Sequence, residues 1–251
     1  MSEAVTETAK YVIFPLLAPA IGAAIALRNN PNEQLKSLVR HIAGGLVFAA
    51  ATVELLPQLL KDKQPLATII GFCLGVGLLL LVNVMLGGHY HGDKDETDDH
   101  THVDKDGKSP LGTMVAATSI DVAVDGLLIG LGFSIGLTAG RLLTLALTLE
   151  MLFIGLALIS SCRDRSISTV KAFFIAASPG LILAAMAFVG VSIVSNLHGA
   201  LHQGVLAFGI AALLYLVTEE LLVEAHESPD EPVEVAGFFL GFLVVLALAL
   251  L

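Results

Sequence analysis

Residues 119–136 read SIDVAVDGLLIGLGFSIG, and residues 145–161 read LALTLEMLFIGLALISS. Both stretches are strongly apolar and close to the ~20 residues that a helix needs to cross a bilayer. They nevertheless carry three carboxylates: Asp121 and Asp125 in the first stretch and Glu150 in the second. Charged carboxylates at bilayer depth are costly and rare, and they mark ion or proton pathways. The sequence therefore predicts a membrane protein with a functional acidic site.

Composition extends this prediction to the whole chain. The protein has 251 residues, of which 55% are hydrophobic and 14% charged. Because backbone groups in lipid must be satisfied internally, the repeated apolar stretches predict helices. We expect an all-α membrane protein with a single transmembrane domain over residues 1–251. The net charge of −10 argues against nucleic acid as a partner.

Eight spans are predicted, separated by polar connections and turn signals. Their approximate limits are 10–28, 38–60, 66–87, 111–138, 141–161, 169–195, 202–225 and 233–251. Nine basic residues fall on one side of the membrane and four on the other, which puts the first set in the cytoplasm and both termini outside. A short likeness between TVELLPQ (52–58) and TEELLVE (218–224) is typical of the inverted repeats of transporters.

The three acids are predicted to meet. Asp121 and Asp125 are four residues apart and share a helix face, and Glu150 lies at a similar depth on the next helix. Oxygen ligands favour hard divalent cations, although Fe²⁺ and Zn²⁺ also accept carboxylates. Two alternatives stay open for these acids: protonated carboxyls that hydrogen-bond between helices, or a proton relay.

Further candidate ligands lie elsewhere in the chain. Glu54 in the second span is a predicted polar contact on the entry side, and Glu220, Glu224 and His226 near the end of the seventh form a predicted exit station. A flexible cytoplasmic loop over residues 88–110, rich in His and Asp, is predicted to capture metal weakly through His89, His91, His100 and His102. No catalytic triad, phosphate loop or cysteine pair is present, so we expect no enzyme activity.

These features together resemble the ZIP (Zrt/Irt-like) family of divalent metal transporters. The second span reads Glu54-Leu55-Leu56-Pro57-Gln58 where the family usually has His-Leu-Leu-Pro-Glu, and EELLVEAH (219–226) is similar to the family's Glu-Glu-x-x-Pro-Glu-x-His ending. The resemblance implies three-helix inverted repeats, spans 1–3 and 6–8, around spans 4 and 5. It also implies alternating access and a homodimer.

The resemblance assigns the transport site to the fourth and fifth spans. Asp121 takes the place of the family's histidine, Asp125-Gly126 that of Glu-Gly, and Glu150 that of the first ligand in span five. The positions that hold a second metal in the family have lost strong ligands in this chain: they are Val122, Met151 and Ser178. In addition, Ile154 stands where the family has the glutamate of span five. We therefore expect one carboxylate site instead of two.

The expected function is transport of a divalent cation towards the cytoplasm, across the plasma (inner) membrane. The substrate is a metal ion, with Zn, Mn, Fe and Cd left open, and no organic cofactor is expected. Two other functions stay open: a metal-binding membrane sensor or transport-inactive relative, and a proton-coupled carrier of another solute.

Overall fold

The structure is a computed structural model, and it describes residues 3–28, 32–61, 63–85, 110–165, 167–222 and 232–250. Every regular element in this part of the chain is helical, as predicted. Two of the elements are short π-helical segments, called π1 and π2 here. The helices are α1 (Glu3–Tyr11), α2 (Ile13–Arg28), α3 (Glu33–Ala49), π1 (Ala50–Leu55), α4 (Leu56–Lys61), α5 (Pro65–Met85), α6 (Pro110–Ile135), α7 (Leu137–Asp164), α8 (Thr169–Val194), α9 (Gly199–Tyr215), π2 (Leu216–Leu221) and α10 (Pro232–Ala249).

Seven helical stretches of the described chain are long and apolar enough to cross a membrane, so the prediction of an all-α integral membrane protein is confirmed. They match the first seven predicted spans. The eighth predicted span corresponds to α10, whose apolar part, Val235–Ala249, is shorter. Eight crossings therefore stay a prediction. Of the loop predicted over residues 88–110, all but residue 110 lies outside the described residues.

The first span begins earlier than its apolar run. Helix α1 continues the span to Glu3, although residues 3–10 carry three charges. Glu7 accepts hydrogen bonds from Lys10 at 2.6 Å and from Arg141 at 3.2 Å. Arg141 also lies over the ring of Tyr11, 5.2 Å from its centroid. These contacts fasten the start of the chain to the beginning of α7, a link that hydropathy alone does not predict.

The break between α6 and α7 falls at Gly136, whereas the predicted fourth span ends at residue 138 and the predicted fifth begins at 141. Gly136 is extended, with φ −179° and ψ 151°, and the next helix begins at Leu137. The hairpin is therefore tighter than predicted. This tight connection keeps α6 and α7 adjacent, which matters because they carry the three acids.

Each of the two acid-bearing helices is packed against a different neighbour through glycines. In α6, a β-carbon at Gly126 or Gly130 would collide with the backbone of α8 at Leu183 and Ala187. In α7, a β-carbon at Gly155 would collide with the backbone of α2. These close approaches fix the height and rotation of α6 and α7 within the bundle.

The remaining long helices form two further pairs. Helix α3 packs on α10, where a β-carbon at Gly45 or Gly241 would strike the opposite backbone. Helix α5 packs on α9, and there Gly71 lies against Gly204. The main hydrophobic core joins α3, α6, α7 and α9 through buried Leu, Ile, Ala and Val side chains.

Candidate metal centre

Three carboxylates meet where α6 and α7 lie side by side. Asp121, Asp125 and Glu150 each offer an oxygen, and these three atoms lie within 4.8 Å of one another. Two of the carboxylates come from one face of α6, four residues apart, and the third comes from α7. The site residues that the sequence singled out on these helices are thus brought together, while their binding of a metal stays a prediction.

The cluster is shielded from the surroundings. Asp125 is 1% exposed and Glu150 8% exposed, whereas Asp121 is half-buried. The Oδ2 atom of Asp125 is buried without a hydrogen-bond partner among the described residues. Because a buried charge costs free energy unless it is compensated, three carboxylates in this position call for a cation or for protons.

The spacing of the oxygens suits one ion. Three atoms within 4.8 Å of one another share a central point that lies no more than ~2.8 Å from any of them. Divalent cations bind carboxylate oxygens at roughly 2.0–2.6 Å. Side-chain movements that shift the oxygens by a fraction of an ångström are therefore enough to bring all three to a metal-binding distance.

A small cavity adjoins the two aspartates. Its volume is about 10 Å³, and a single water needs roughly 10–15 Å³. Its other walls are aliphatic, apart from Tyr215 at the end of α9; they are Leu79, Val124, Leu128, Ala212, Tyr215 and Leu216. The cavity therefore adds room for about one water molecule beside a bound ion.

Sequence reasoning missed Tyr215 as a neighbour of the site. The only signal is its position three residues before Thr218-Glu219-Glu220, at the end of the apolar stretch 204–214. It also missed His41, which is 1% exposed and whose Nδ1 lies 3.0 Å from the carbonyl oxygen of Ser37. His41 does not belong to the acidic cluster.

The four positions at which the sequence predicted the loss of metal ligands hold three apolar side chains and one serine, whose hydroxyl is hydrogen-bonded within its own helix. Val122 and Met151 are fully buried in the main core, and Ile154 packs against it. The hydroxyl of Ser178 donates to the carbonyl of Ile175 on its own helix, at 2.8 Å. None of the four adds a charged ligand, as their residue types predicted.

Glu54 and Glu220 lie in the two π-helical segments. In π1, the Thr52 hydroxyl donates to the Phe48 carbonyl at 2.7 Å, and in π2 the Thr218 hydroxyl donates to Leu214 at 3.0 Å. In both segments the threonine of the repeated motif thus donates to the carbonyl four residues earlier, in the preceding α-helix. Such wide turns are rare and often occur at functional sites.

The structure describes only part of the predicted pathway. Glu54 is half-buried and does not belong to the acidic cluster. The backbone of Glu220 is described, but its side chain is not. The remaining predicted ligands lie outside the described residues: Glu224, His226, His89, His91, His100 and His102. The entry, exit and loop-capture roles therefore stay predictions.

No protein-family model matches the sequence, and no curated protein matches it either. The likeness to the ZIP family accordingly stays a resemblance carried by the motifs themselves.

Proposed function

We propose that this protein is a ZIP-like transporter that moves a divalent metal cation towards the cytoplasm. The observation that carries the proposal is the buried cluster of Asp121, Asp125 and Glu150 on two adjacent membrane helices. Three carboxylates exceed what helix cohesion needs, and a divalent cation compensates most of their charge. Their oxygens provide the ligands, and the cation is the substrate.

The packing of the helices supports the inverted repeats and the eighth crossing that transport of this type requires. An inverted repeat of this kind exchanges the first three spans (α2, α3 and α5) with the last three (α8, α9 and α10), and it exchanges α6 with α7. Under this exchange the pair α2–α7 becomes the pair α8–α6. The same exchange converts the pair α3–α10 into α9–α5. All four are among the most extensive helix contacts of the described chain. The matching π1 and π2 segments obey the same exchange, since they fall within the second and seventh spans.

The ligand set favours a hard cation. All three donors are carboxylate oxygens, and carboxylates suit Mn²⁺, Mg²⁺ and Ca²⁺, whereas zinc sites commonly use nitrogen or sulfur. Mg²⁺ dehydrates reluctantly and keeps several waters, for which a cavity of about 10 Å³ has little space. We therefore propose a hard divalent cation such as Mn²⁺ as the substrate and one ion per chain, in a protein with both termini outside the plasma (inner) membrane.

Uptake of radioactive Mn²⁺ into proteoliposomes tests the proposal, with the Asp121→Ala, Asp125→Ala double variant as the comparison. We expect the wild type to accumulate Mn²⁺ and the double variant to lose uptake. Ser119→Ala is the matched control, because the Ser119 hydroxyl donates to the Val115 carbonyl of its own helix. Uptake unchanged in the double variant would overturn the site, and Mn²⁺ binding without uptake would indicate a membrane sensor instead.

A further inference from the structure

An apolar cleft separates the α5–α9 pair from the α6–α8 pair. Its volume is about 560 Å³. Gly71 and Leu74 of α5 and Gly204 of α9 line one side, and Leu127 of α6 and Gly190 of α8 line the other. The cleft extends along α5 from Ala67 to Leu74, seven residues or about 10 Å at 1.5 Å per residue.

The lining of the cleft has no polar side chain among the described residues. Only Ala, Gly, Val, Leu, Ile and Phe contribute to it. Water gains no hydrogen-bond partner from such side chains, and an apolar cavity of this kind stays dry and accepts hydrocarbon guests. Because the lining offers no polar partner, the group that occupies the cleft is apolar.

The rim of the cleft opens onto the hydrocarbon core. Leu74 is 61% exposed, Ile193 53% and Leu201 70%, and all three lie in membrane-spanning helices. The cleft is thus continuous with the surface that the protein presents to lipid tails. A lipid chain reaches it sideways, without crossing a polar layer.

The length of the cleft discriminates between two apolar occupants. A membrane-spanning partner helix packs along the ~30 Å of the hydrocarbon core, whereas the cleft extends only about 10 Å along α5, from Ala67 to Leu74. A flexible acyl chain enters so short a cleft from the side. We propose that the cleft binds the acyl part of one membrane lipid.

The proposed lipid site shares a wall with the candidate metal centre. Val124 and Leu128 line both the cleft and the small cavity beside Asp121 and Asp125. An acyl chain in the cleft seals that wall against water, which keeps the electrostatic attraction between the carboxylates and a cation strong. The lipid site itself does not depend on the proposed transport function.

Filling the cleft tests this proposal. A β-carbon at Gly204 meets only the Ala67 carbonyl oxygen, at an ordinary 3.5 Å, so Gly204→Leu fits locally and its side chain enters the space of the lipid. Gly77→Leu is the matched control, because a β-carbon there meets nothing within 4 Å and Gly77 is exposed. Native mass spectrometry after extensive detergent washing measures the phospholipid retained per chain. We expect one in the wild type and in Gly77→Leu, and at least a tenfold lower occupancy in Gly204→Leu.

A second measurement does not depend on how Gly204→Leu folds. The chain contains no tryptophan, so Phe208→Trp in the cleft gives a single fluorescent reporter. Phe239→Trp gives its control, because Phe239 lies on α10 and is 65% exposed. Titration with phospholipid brominated in its acyl chains should quench the cleft reporter saturably, at about one lipid per chain, and the control only in proportion to total lipid. Equal quenching of both reporters, or equal lipid retention in Gly204→Leu and the wild type, would overturn the proposal.

Discussion

Replacing Asp125 with asparagine isolates the charge of the most buried carboxylate in the cluster. Asparagine has almost the same shape, so Asp125→Asn leaves the packing of α6 intact while removing one negative charge. Asp125 is 1% exposed, and its Oδ2 has no hydrogen-bond partner among the described residues. We expect this variant to lose most of its affinity for a divalent cation.

The magnitude follows from the geometry of the cluster. A divalent cation no more than ~2.8 Å from each oxygen attracts one carboxylate by at least roughly 12 kcal/mol at an effective dielectric constant of ~20. Desolvation of the ion and the carboxylate cancels most of this, and removing one member of a buried ion pair costs about 3–5 kcal/mol net. At ~1.4 kcal/mol per factor of ten, the Kd for Mn²⁺ should rise at least ~100-fold.

Thermal unfolding in detergent, with and without MnCl₂, measures this change. A ligand at 100 times its Kd stabilises the folded protein by about 2.7 kcal/mol, so the wild type should show a clear rise in Tm. Asp125→Asn should be at least as stable as the wild type without Mn²⁺, because a buried charge is gone, and should gain nothing from Mn²⁺. Ser119→Ala, a neutral change on the same helix, should respond like the wild type. A Kd for Asp125→Asn within threefold of the wild-type value would refute the reasoning.

Three further variants test separate parts of the structure. Asp121→His should shift the preference towards Zn²⁺, by tenfold or more in the ratio of the Zn²⁺ and Mn²⁺ dissociation constants, because it adds a nitrogen ligand; an unchanged ratio in competition titrations would contradict the all-oxygen site. Gly155→Val should lower the free energy of unfolding by roughly 1–3 kcal/mol or more, since its β-carbon collides with the Pro19 backbone, whereas Gly77→Val should change it by less than ~0.5 kcal/mol; equal stabilities in chemical denaturation would contradict this packing. Glu54→Gln should slow Mn²⁺ uptake while the Kd for Mn²⁺ changes less than threefold, because Glu54 does not belong to the cluster. A large increase in the Kd for Mn²⁺ would instead identify Glu54 as a ligand.

Much of the fold follows from hydropathy, since a bilayer permits helices and little else. The apolar runs predicted seven of the membrane-spanning stretches within several residues. Charges near the ends misled the prediction: α1 extends through Glu7 and Lys10, whose side chains find partners in each other and in Arg141. A one-dimensional pattern does not contain such pairings.

The candidate site was also predictable from hydropathy, except for the contacts that depend on how the helices pack. Acids inside apolar runs are conspicuous, and the i, i+4 spacing of Asp121 and Asp125 follows from helix geometry. Tyr215 escaped notice because its proximity depends on how α9 packs, which its local sequence does not encode. The π-helical turns escaped too, since the hydrogen bonds that widen a helix leave no compositional signature.

Anomalous X-ray scattering from crystals soaked in MnCl₂ tests the central claim most directly. The proposed site predicts one manganese peak per chain, bonded to carboxylate oxygens of Asp121, Asp125 and Glu150 at about 2.0–2.6 Å. The peak should disappear in the Asp125→Asn variant. A manganese peak elsewhere with these three side chains unoccupied, or two adjacent peaks at this position, would contradict a single carboxylate site.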